Sequence, residues 1–467
     1  MAVANPTTML RTTDNNCGVL LDSSERAHAA NLQKIANVRL DELTLEGCPN
    51  LLVFPREWND RQCDDVRENQ IFSLHEKNKD IILTTGNIMG FVGVGETDLR
   101  ISSRFAPGDK KNYFLHYMLG KVCGINVVNL DTQSDKEGLE NFLPYLFPAF
   151  LRRALSHGIF KKYQHRRYND ANIRGPIDVT RHIRLNIPFA GKVAYSTREH
   201  SRDNAITQLI RHTIEHLRTN DIGRSALTSS PDTRADIQEI ENYTPAYNRN
   251  DRQKIISANL RPVAHPYFTE YRPLQKLCLQ ILRREKISHG EDKDKIHGLL
   301  FDGAWLWEEY LNVVLKKWFD HPNNKTGKGG DYLFKTTDDK DEQEIYPDFI
   351  TPADNNRPRI VADAKYKHLE QKDKEHGRDD YFQLITYMYR YQSTKGIFLF
   401  PICHDADFFR RNDVGLFKKE LFIKGTAGKI FKLGLKIPEA GEKFQAFSKD
   451  MGEAEKRLQE EIGKRIS

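Results

Sequence analysis

The chain has 467 residues, 39% of them hydrophobic and 29% charged, with a net charge of +6. That length accommodates two or three domains with real cores, and the positive balance is mild support for a polyanionic partner. No run of eighteen or more apolar residues occurs and the N-terminus lacks an apolar signal core, so neither a membrane span nor a secretory leader is expected.

Residues 1–40 form a polar leader rich in Asn, Thr and Asp, with a short helix expected over Ala27 to Ile35. From Leu51 to Ile101 the runs L-L-V-F, I-I-L-T-T, G-F-V-G-V-G and L-R-I-S predict β structure. Gly86, Gly90, Gly93 and Gly95 invite comparison with a phosphate loop, but no Lys-Ser or Lys-Thr follows at the required spacing. Turns and strand bulges are the expected use of these glycines, and nucleotide hydrolysis by this chain is not expected. A helix is predicted over Tyr113 to Cys123, a strand at I-N-V-V-N-L, and a helix within Leu139 to Gly158. The six cysteines are scattered without a C-x-x-C pair, which points to reduced thiols in a cytoplasmic protein.

A basic region follows, with Arg152, Arg153, Lys161, Lys162, Arg166, Arg167, Arg174, Arg181 and Arg184 interleaved with Tyr163, His165 and Tyr168. Cations mixed with aromatics suit a nucleic-acid backbone, with Lys162, Arg166, Arg167 and Arg174 as candidate DNA contacts. A solvated helix face, or a docking patch for an acidic protein, accounts for the same composition. Asn204 to Leu217 predicts an amphipathic helix carrying His212, Glu215 and His216 in the order H-x-x-E-H. Zinc chemistry there needs a third ligand, and two histidines on a basic helix explain the match without one. Residues 219–262 read as polar loops with helical pieces, Leu274 to Arg284 as a helix, and Ile287 to Lys295 as a linker.

Phe301 to Phe319 predicts a long amphipathic helix carrying Glu308 and Glu309. A strand is expected at Tyr332 to Thr336, then an acidic loop from Asp338 to Glu344. Residues Tyr346 to Lys367 read Y-P-D-F-I-T-P-A-D-N-N-R-P-R-I-V-A-D-A-K-Y-K, two strand-like runs around a Pro/Asn/Asp turn. Alternation puts Val361, Asp363 and Lys365 on one strand face and Ala362, Ala364 and Tyr366 on the other. If the runs pair, Asp348 approaches Asp363, and two carboxylates and an amine converge in a site for a hard cation such as Mg²⁺. Taken alone, the motif has a plainer explanation as a solvated hairpin face. Asp379 to Tyr391 predicts a helix with Gln383 and Tyr387 one turn apart, Gly396 to Pro401 a strand, and Glu439 to Arg465 a charged helix for the surface or for a partner.

The pattern P-D, gap, D-x-K resembles the PD-(D/E)xK nuclease superfamily, and the order helix, three strands, helix, strand matches its αβββαβ core. The assembled pattern resembles the McrC family, the nuclease subunit of McrBC-type modification-dependent restriction systems, from about Leu83 to Pro401. P-D-F-I with I-V-A-D-A-K-Y-K carries the resemblance, supported by L-T-T-G-N-I-M-G-F-V-G-V-G, I-R-G-P-I-D-V-T-R-H-I and F-D-G-A-W-L-W-E-E-Y. It implies an α+β chain: a mixed β-rich and helical N-terminal domain over 41–298, a nuclease domain over 299–436 and a C-terminal helix over 437–467. It further implies a DNA endonuclease working with a hexameric AAA+ GTPase of the McrB kind, whose hydrolysis it stimulates. Asp348, Asp363 and the Ala364 carbonyl would hold Mg²⁺, with Mn²⁺ as a substitute. Lys365 would be the catalytic lysine, and Glu308 and Gln383 the acidic and polar helix positions of the family's active site. Two rival functions are an assembly factor of a ring NTPase with a silent nuclease core and a stand-alone defence or repair nuclease.

Overall fold

The computed structural model describes residues 8–39, 50–54, 70–77, 80–94, 97–123, 143–287, 296–322, 331–353, 359–370, 377–411 and 415–466. The strand expected at I-N-V-V-N-L, most of the linker before Lys295 and the turn at 354–358 lie outside them. The chain is mixed α+β, with several sheets and helices. By contacts it forms two compact units: residues 1–140 together with 290–467, and residues 141–289.

In the first unit a five-stranded mixed sheet runs in the order Thr8–Thr13, Thr97–Ser102, Ile88–Val94, Ile296–Asp302, Asn50–Phe54. Its Ile88–Val94 strand is buried along its whole length, so it reads as an apolar run rather than an alternating one. Gly90 sits within that strand at φ +133°, where a Cβ would fall 2.1 Å from the Leu299 carbonyl oxygen of the neighbouring strand. The glycine therefore permits close backbone approach. A three-stranded sheet of Val19–Leu20, Asp80–Thr85 and Phe72–Lys77 lies in the same unit. The helix Ser23–Leu32, near the expected Ala27 to Ile35, buries Ala29 and Leu32 in the shared core.

Ile296–Asp302 is a strand paired on both sides, which moves the start of the following helix. That helix runs Gly303–Leu315, not from Phe301, because Asp302 caps it: its Oδ1 accepts from Trp305 N–H at 2.9 Å.

The second five-stranded sheet has the order Phe349–Ile350, Ile360–Ala364, Lys395–Cys403, Lys429–Ile437, Leu416–Phe422. Helix Arg378–Arg390 covers one face through Leu384, Tyr387 and Met388, packed with Val361, Phe398 and Phe400. From the Gly303–Leu315 helix, Trp307 Nε1–H donates to the Leu399 carbonyl at 3.2 Å. The strand expected at Tyr332 to Thr336 does not join this sheet. It is Asp331–Lys335, paired in a hairpin with Asp341–Ile345. The segment read as an acidic loop is thus largely a strand: four of its five residues are exposed, and the ladder forms although acidic residues disfavour strands.

The C-terminal helix Phe444–Ile466 is not a free surface element. Phe444, Phe447, Met451, Leu458 and Ile462 are buried at helical spacing. Buried Glu455 accepts hydrogen bonds from Tyr117 and Tyr310 hydroxyls, both at 2.8 Å, and from Lys121 at 2.9 Å.

Asp14, fully buried, pairs with Arg104. Burial, opposed by Arg104, holds its pKa at about 6. The native state therefore keeps a proton that the unfolded chain releases near the ordinary carboxylate pKa, and stability falls as pH rises from about 4 to about 6. Asp14→Asn is expected to flatten that part of the curve. Urea midpoints of both proteins at pH 4 and pH 6.5 check it, and parallel shifts would contradict it.

In the second unit, helices Leu143–Leu155, Ala205–Leu217, Asp221–Leu227, Pro231–Tyr243, Arg252–Ala258 and Tyr271–Ile287 surround a core that includes Leu209, Ile210, Ile214, Leu274 and Leu277. Asn204 starts the second of these with a capping box to Thr207. An antiparallel ribbon, Lys162–Asp170 with Val193–Ser201, and the short helix Val179–Leu185 complete the unit.

Candidate active site

Phe349 pairs with Ala362 and Ile350 with Val361. Extending this antiparallel register by one residue sets Asp348 across from Asp363. The structure brings the two together: the charge of Asp348 acts on Asp363, and Asp348 Oδ2 accepts from Ala364 N–H at 2.7 Å. Asp363 is 1% exposed. Asp348 keeps some solvent-facing surface, although its carboxylate is enclosed by protein atoms.

Lys365 joins the pair. Its Nζ lies 2.8 Å from Asp363 Oδ2, 2.9 Å from Gln383 Oε1 and 3.7 Å from Asp380 Oδ1. The Asp363 contact is an ion pair without hydrogen-bond alignment, which leaves buried Oδ2 with no hydrogen-bond partner. Gln383 Nε2–H donates to Tyr387 Oη at 2.8 Å, and the Tyr387 hydroxyl donates to the Tyr346 carbonyl at 3.2 Å. Gln383 is thus tied to both strands of the site. Glu308 approaches from the Gly303–Leu315 helix with its side chain 16% exposed, and its charge acts on Asp348.

The electrostatics follow from crowding acids in a dry place. Burial, then the charge of Glu308, raises the Asp348 pKa to about 7. Burial, then the charge of Asp348, raises that of Asp363 to about 8. Burial works against the Lys365 ammonium, but Asp363 and Asp348 outweigh it and its pKa is raised. Carboxyl groups held this way share a proton near neutrality and release it when a cation takes its place.

Among the described residues no group of three or more His, Cys, Asp or Glu side chains is arranged to hold a metal ion. The donor set at Asp348 and Asp363 is smaller, two carboxylates. Two crowded, buried carboxylates with raised pKa values fit a hard cation that keeps most of its waters.

Sequence reasoning did not single out His321 or Asp380. Asp380 pairs with Lys367 at 3.0 Å and stands near Lys365. Its only signal was an acidic residue in the first turn of a helix.

The basic residues are sorted by the ribbon. Lys162 and Arg166 share one face, where Arg166 lies 3.8 Å from Glu199. Arg167 lies on the other, with Tyr163, His165, Arg198 and His200, a face without a carboxylate at these positions. Tyr163 stacks on His200 at 4.2 Å. Arg174 covers the Tyr168 ring and donates to Tyr195 at 3.4 Å. Arg152 and Arg181 have internal tasks, pairing with Asp232 and bridging the ribbon carbonyls of Tyr168 and Tyr195. His212 is buried against Tyr247, and Glu215 pairs with Arg211 and Arg218.

The profile of the family described as "McrBC 5-methylcytosine restriction system component" matches residues 83–401. The chain belongs to this family. The McrBC match spans Glu308, Asp348, Asp363, Lys365 and Gln383, as well as the ribbon. No curated protein matches the chain. Among solved structures, a half-complex of Thermococcus gammatolerans McrB AAA+ hexamers with bound McrC is similar at 14% identity and a TM-score of 0.46, covering 96% of this chain and 100% of that one. The McrBC complex of the same organism is similar at 15% identity and a TM-score of 0.33, covering 66% and 88%. Among the described residues no helix is long and apolar enough to cross a membrane.

Proposed function

We propose that this chain is the nuclease subunit of a McrBC-type restriction complex, a Mg²⁺-dependent DNA endonuclease with a PD-(D/E)xK core. It cuts when assembled with a hexameric AAA+ GTPase and stimulates GTP hydrolysis by that partner, in defence against foreign DNA. The observation that carries this reading is the meeting of Asp348, Asp363 and Lys365, with Gln383 holding the lysine. The core would comprise the Gly303–Leu315 helix, the sheet holding Ile360–Ala364, and the Arg378–Arg390 helix.

Asp348, Asp363 and the Ala364 carbonyl would hold Mg²⁺ or Mn²⁺. When bound, the ion supplies polarisation of a phosphoryl oxygen and a more acidic water. Lys365 presents a cation where charge develops on the phosphoryl group and orients the attacking water. Gln383 fixes the lysine's direction, and Glu308 adds a negative charge beside Asp348 that draws positive charge into the site.

The test is reconstitution with an McrB-like GTPase on a plasmid carrying 5-methylcytosine. Cutting that requires both GTP and a divalent ion, together with a faster GTPase, is the expected result. GTPase stimulation without cutting would support a silent core, and robust cutting by the chain alone a stand-alone nuclease.

Two surfaces of the 141–289 unit serve the partners in this reading. Ile183, Leu185, Ile187 and Phe189 are all more than half exposed on one short stretch, a concentration that marks a protein-docking surface. Arg167 and its neighbours on the carboxylate-free ribbon face suit DNA. Phe189→Asp is expected to weaken GTPase-partner binding at least about tenfold with DNA affinity unchanged, and Arg167→Glu to do the reverse. Pull-down titration and DNA mobility shifts measure the two, and equal effects of both variants on both partners would contradict the division.

A further inference from the structure

Asp348 is held from two directions, and only one lies in its own sheet. Beyond the Gly303–Leu315 helix, Asp320 forms an isolated bridge with Ile350, with N–H to O distances of 2.8 and 3.0 Å. The next side chain, His321, is 10% exposed and packs against Phe349, with ring centroids 5.1 Å apart. His321 Nδ1 lies 2.7 Å from the Asp348 carbonyl oxygen. A carbonyl only accepts, so Nδ1 carries the hydrogen. The other edge of the ring, Nε2, faces the helix, 3.6 Å from Glu308 and 3.9 Å from Glu309.

We propose that His321 is a positioning residue of this site: its Nδ1–H fixes the Asp348 peptide while its Nε2 edge meets Glu308. One rigid ring thereby sets the spacing between the helix acid and the strand acid. This rests on the nuclease reading of the site. The segment entering the Asp348 strand is short and is anchored at few points. Tyr387 holds it at the Tyr346 carbonyl and His321 at the Asp348 carbonyl. Without the second anchor the Asp348 carbonyl loses its fixed partner, and the Ala364 N–H bond is left to direct the carboxylate toward Asp363. A ligating carboxylate whose supporting contact is removed typically loses 10–100-fold in metal affinity or activity.

Three variants separate the two halves of the contact. The side-chain amide of His321→Asn can place an N–H where Nδ1 stands but cannot reach Glu308. His321→Gln does the opposite, and His321→Ala removes both. The measurements are single-turnover cleavage by the reconstituted complex, Mn²⁺ affinity of the full chain by calorimetry, and stimulation of the partner GTPase. His321→Ala is expected to lose about 10–100-fold in cleavage and in Mn²⁺ affinity, with GTPase stimulation retained. His321→Asn, which restores only the Asp348 half of the contact, recovers part of both losses and His321→Gln little. Wild-type Mn²⁺ affinity in His321→Ala, or rescue by Gln rather than Asn, overturns the proposal. If His321→Ala fails to fold, the Asn and Gln variants decide between the same outcomes. Asp363→Ala is the control: if it too binds Mn²⁺ as wild type does, the site reading has failed; if it loses the ion while His321→Ala keeps it, this inference alone has failed.

Discussion

Asp363→Ala is expected to lower DNA cleavage by the assembled complex about a thousand-fold or more, the equivalent of losing some 4 kcal/mol of transition-state stabilisation. The protein should remain folded. A buried acid whose pKa is raised to about 8 is held against its own preference for water, so removing it relieves a cost. Lys365 keeps Gln383 and Asp380 as partners. GTPase stimulation should therefore survive while cutting disappears. Lys365→Ala should also lose about 10²–10³-fold in cleavage, with the acid pair left in place to bind a divalent ion. Plasmid cleavage beside GTP hydrolysis, with the same preparations, measures both. Cutting at the wild-type rate by a pure Asp363→Ala complex would remove the site from consideration.

Arg104→Ala is expected to produce the largest loss of stability, about 3–5 kcal/mol as for other broken buried ion pairs. Its guanidinium pairs with Asp14, donates to Asn87 Oδ1 at 3.0 Å and donates to the Tyr366 carbonyl. It also lies 4.6 Å from the Tyr366 ring centroid and 4.9 Å from that of Phe105. Without it, Asp14 and the Tyr366 carbonyl lose a shared donor in a place where water cannot replace it. Arg104→Lys should rescue little, because one ammonium cannot reproduce a planar fork that bonds several acceptors while stacking on rings. Tyr366 directly follows Lys365, so cleavage should fall with stability. Denaturant midpoints of the two variants check this, and a change below about 1 kcal/mol in Arg104→Ala would show that the network is dispensable.

Much of the site was legible because its chemistry is local. The alternation of Val361, Asp363 and Lys365 fixes a shared face whatever the surroundings. Helices with a clear apolar signal were also readable: Tyr113–Cys123, apolar and buried over most of its length, and Ala205–Leu217, with one apolar stripe. The acidic strand Asp341–Ile345 was not: exposed on four of five positions, it lacks the half-buried pattern that reveals strands. The C-terminal helix read as charged because polar residues outnumber the stripe that buries it. His321 gave no signal, since a lone histidine after a helix acquires meaning only from what stands opposite it.

By itself, the order of residues determined which side chains could serve a hard cation, which stretches were apolar enough to be core, and the family to which the chain belongs. Those properties depend on residue type and short-range periodicity, which survive without coordinates. Only the tertiary structure decided that Asp348 stands across from Asp363, that Gln383 holds Lys365, and that Arg104, far upstream, braces the end of the strand that carries Asp363. Those contacts join residues distant in the chain, and their existence is set by strand register and burial, which no local pattern encodes.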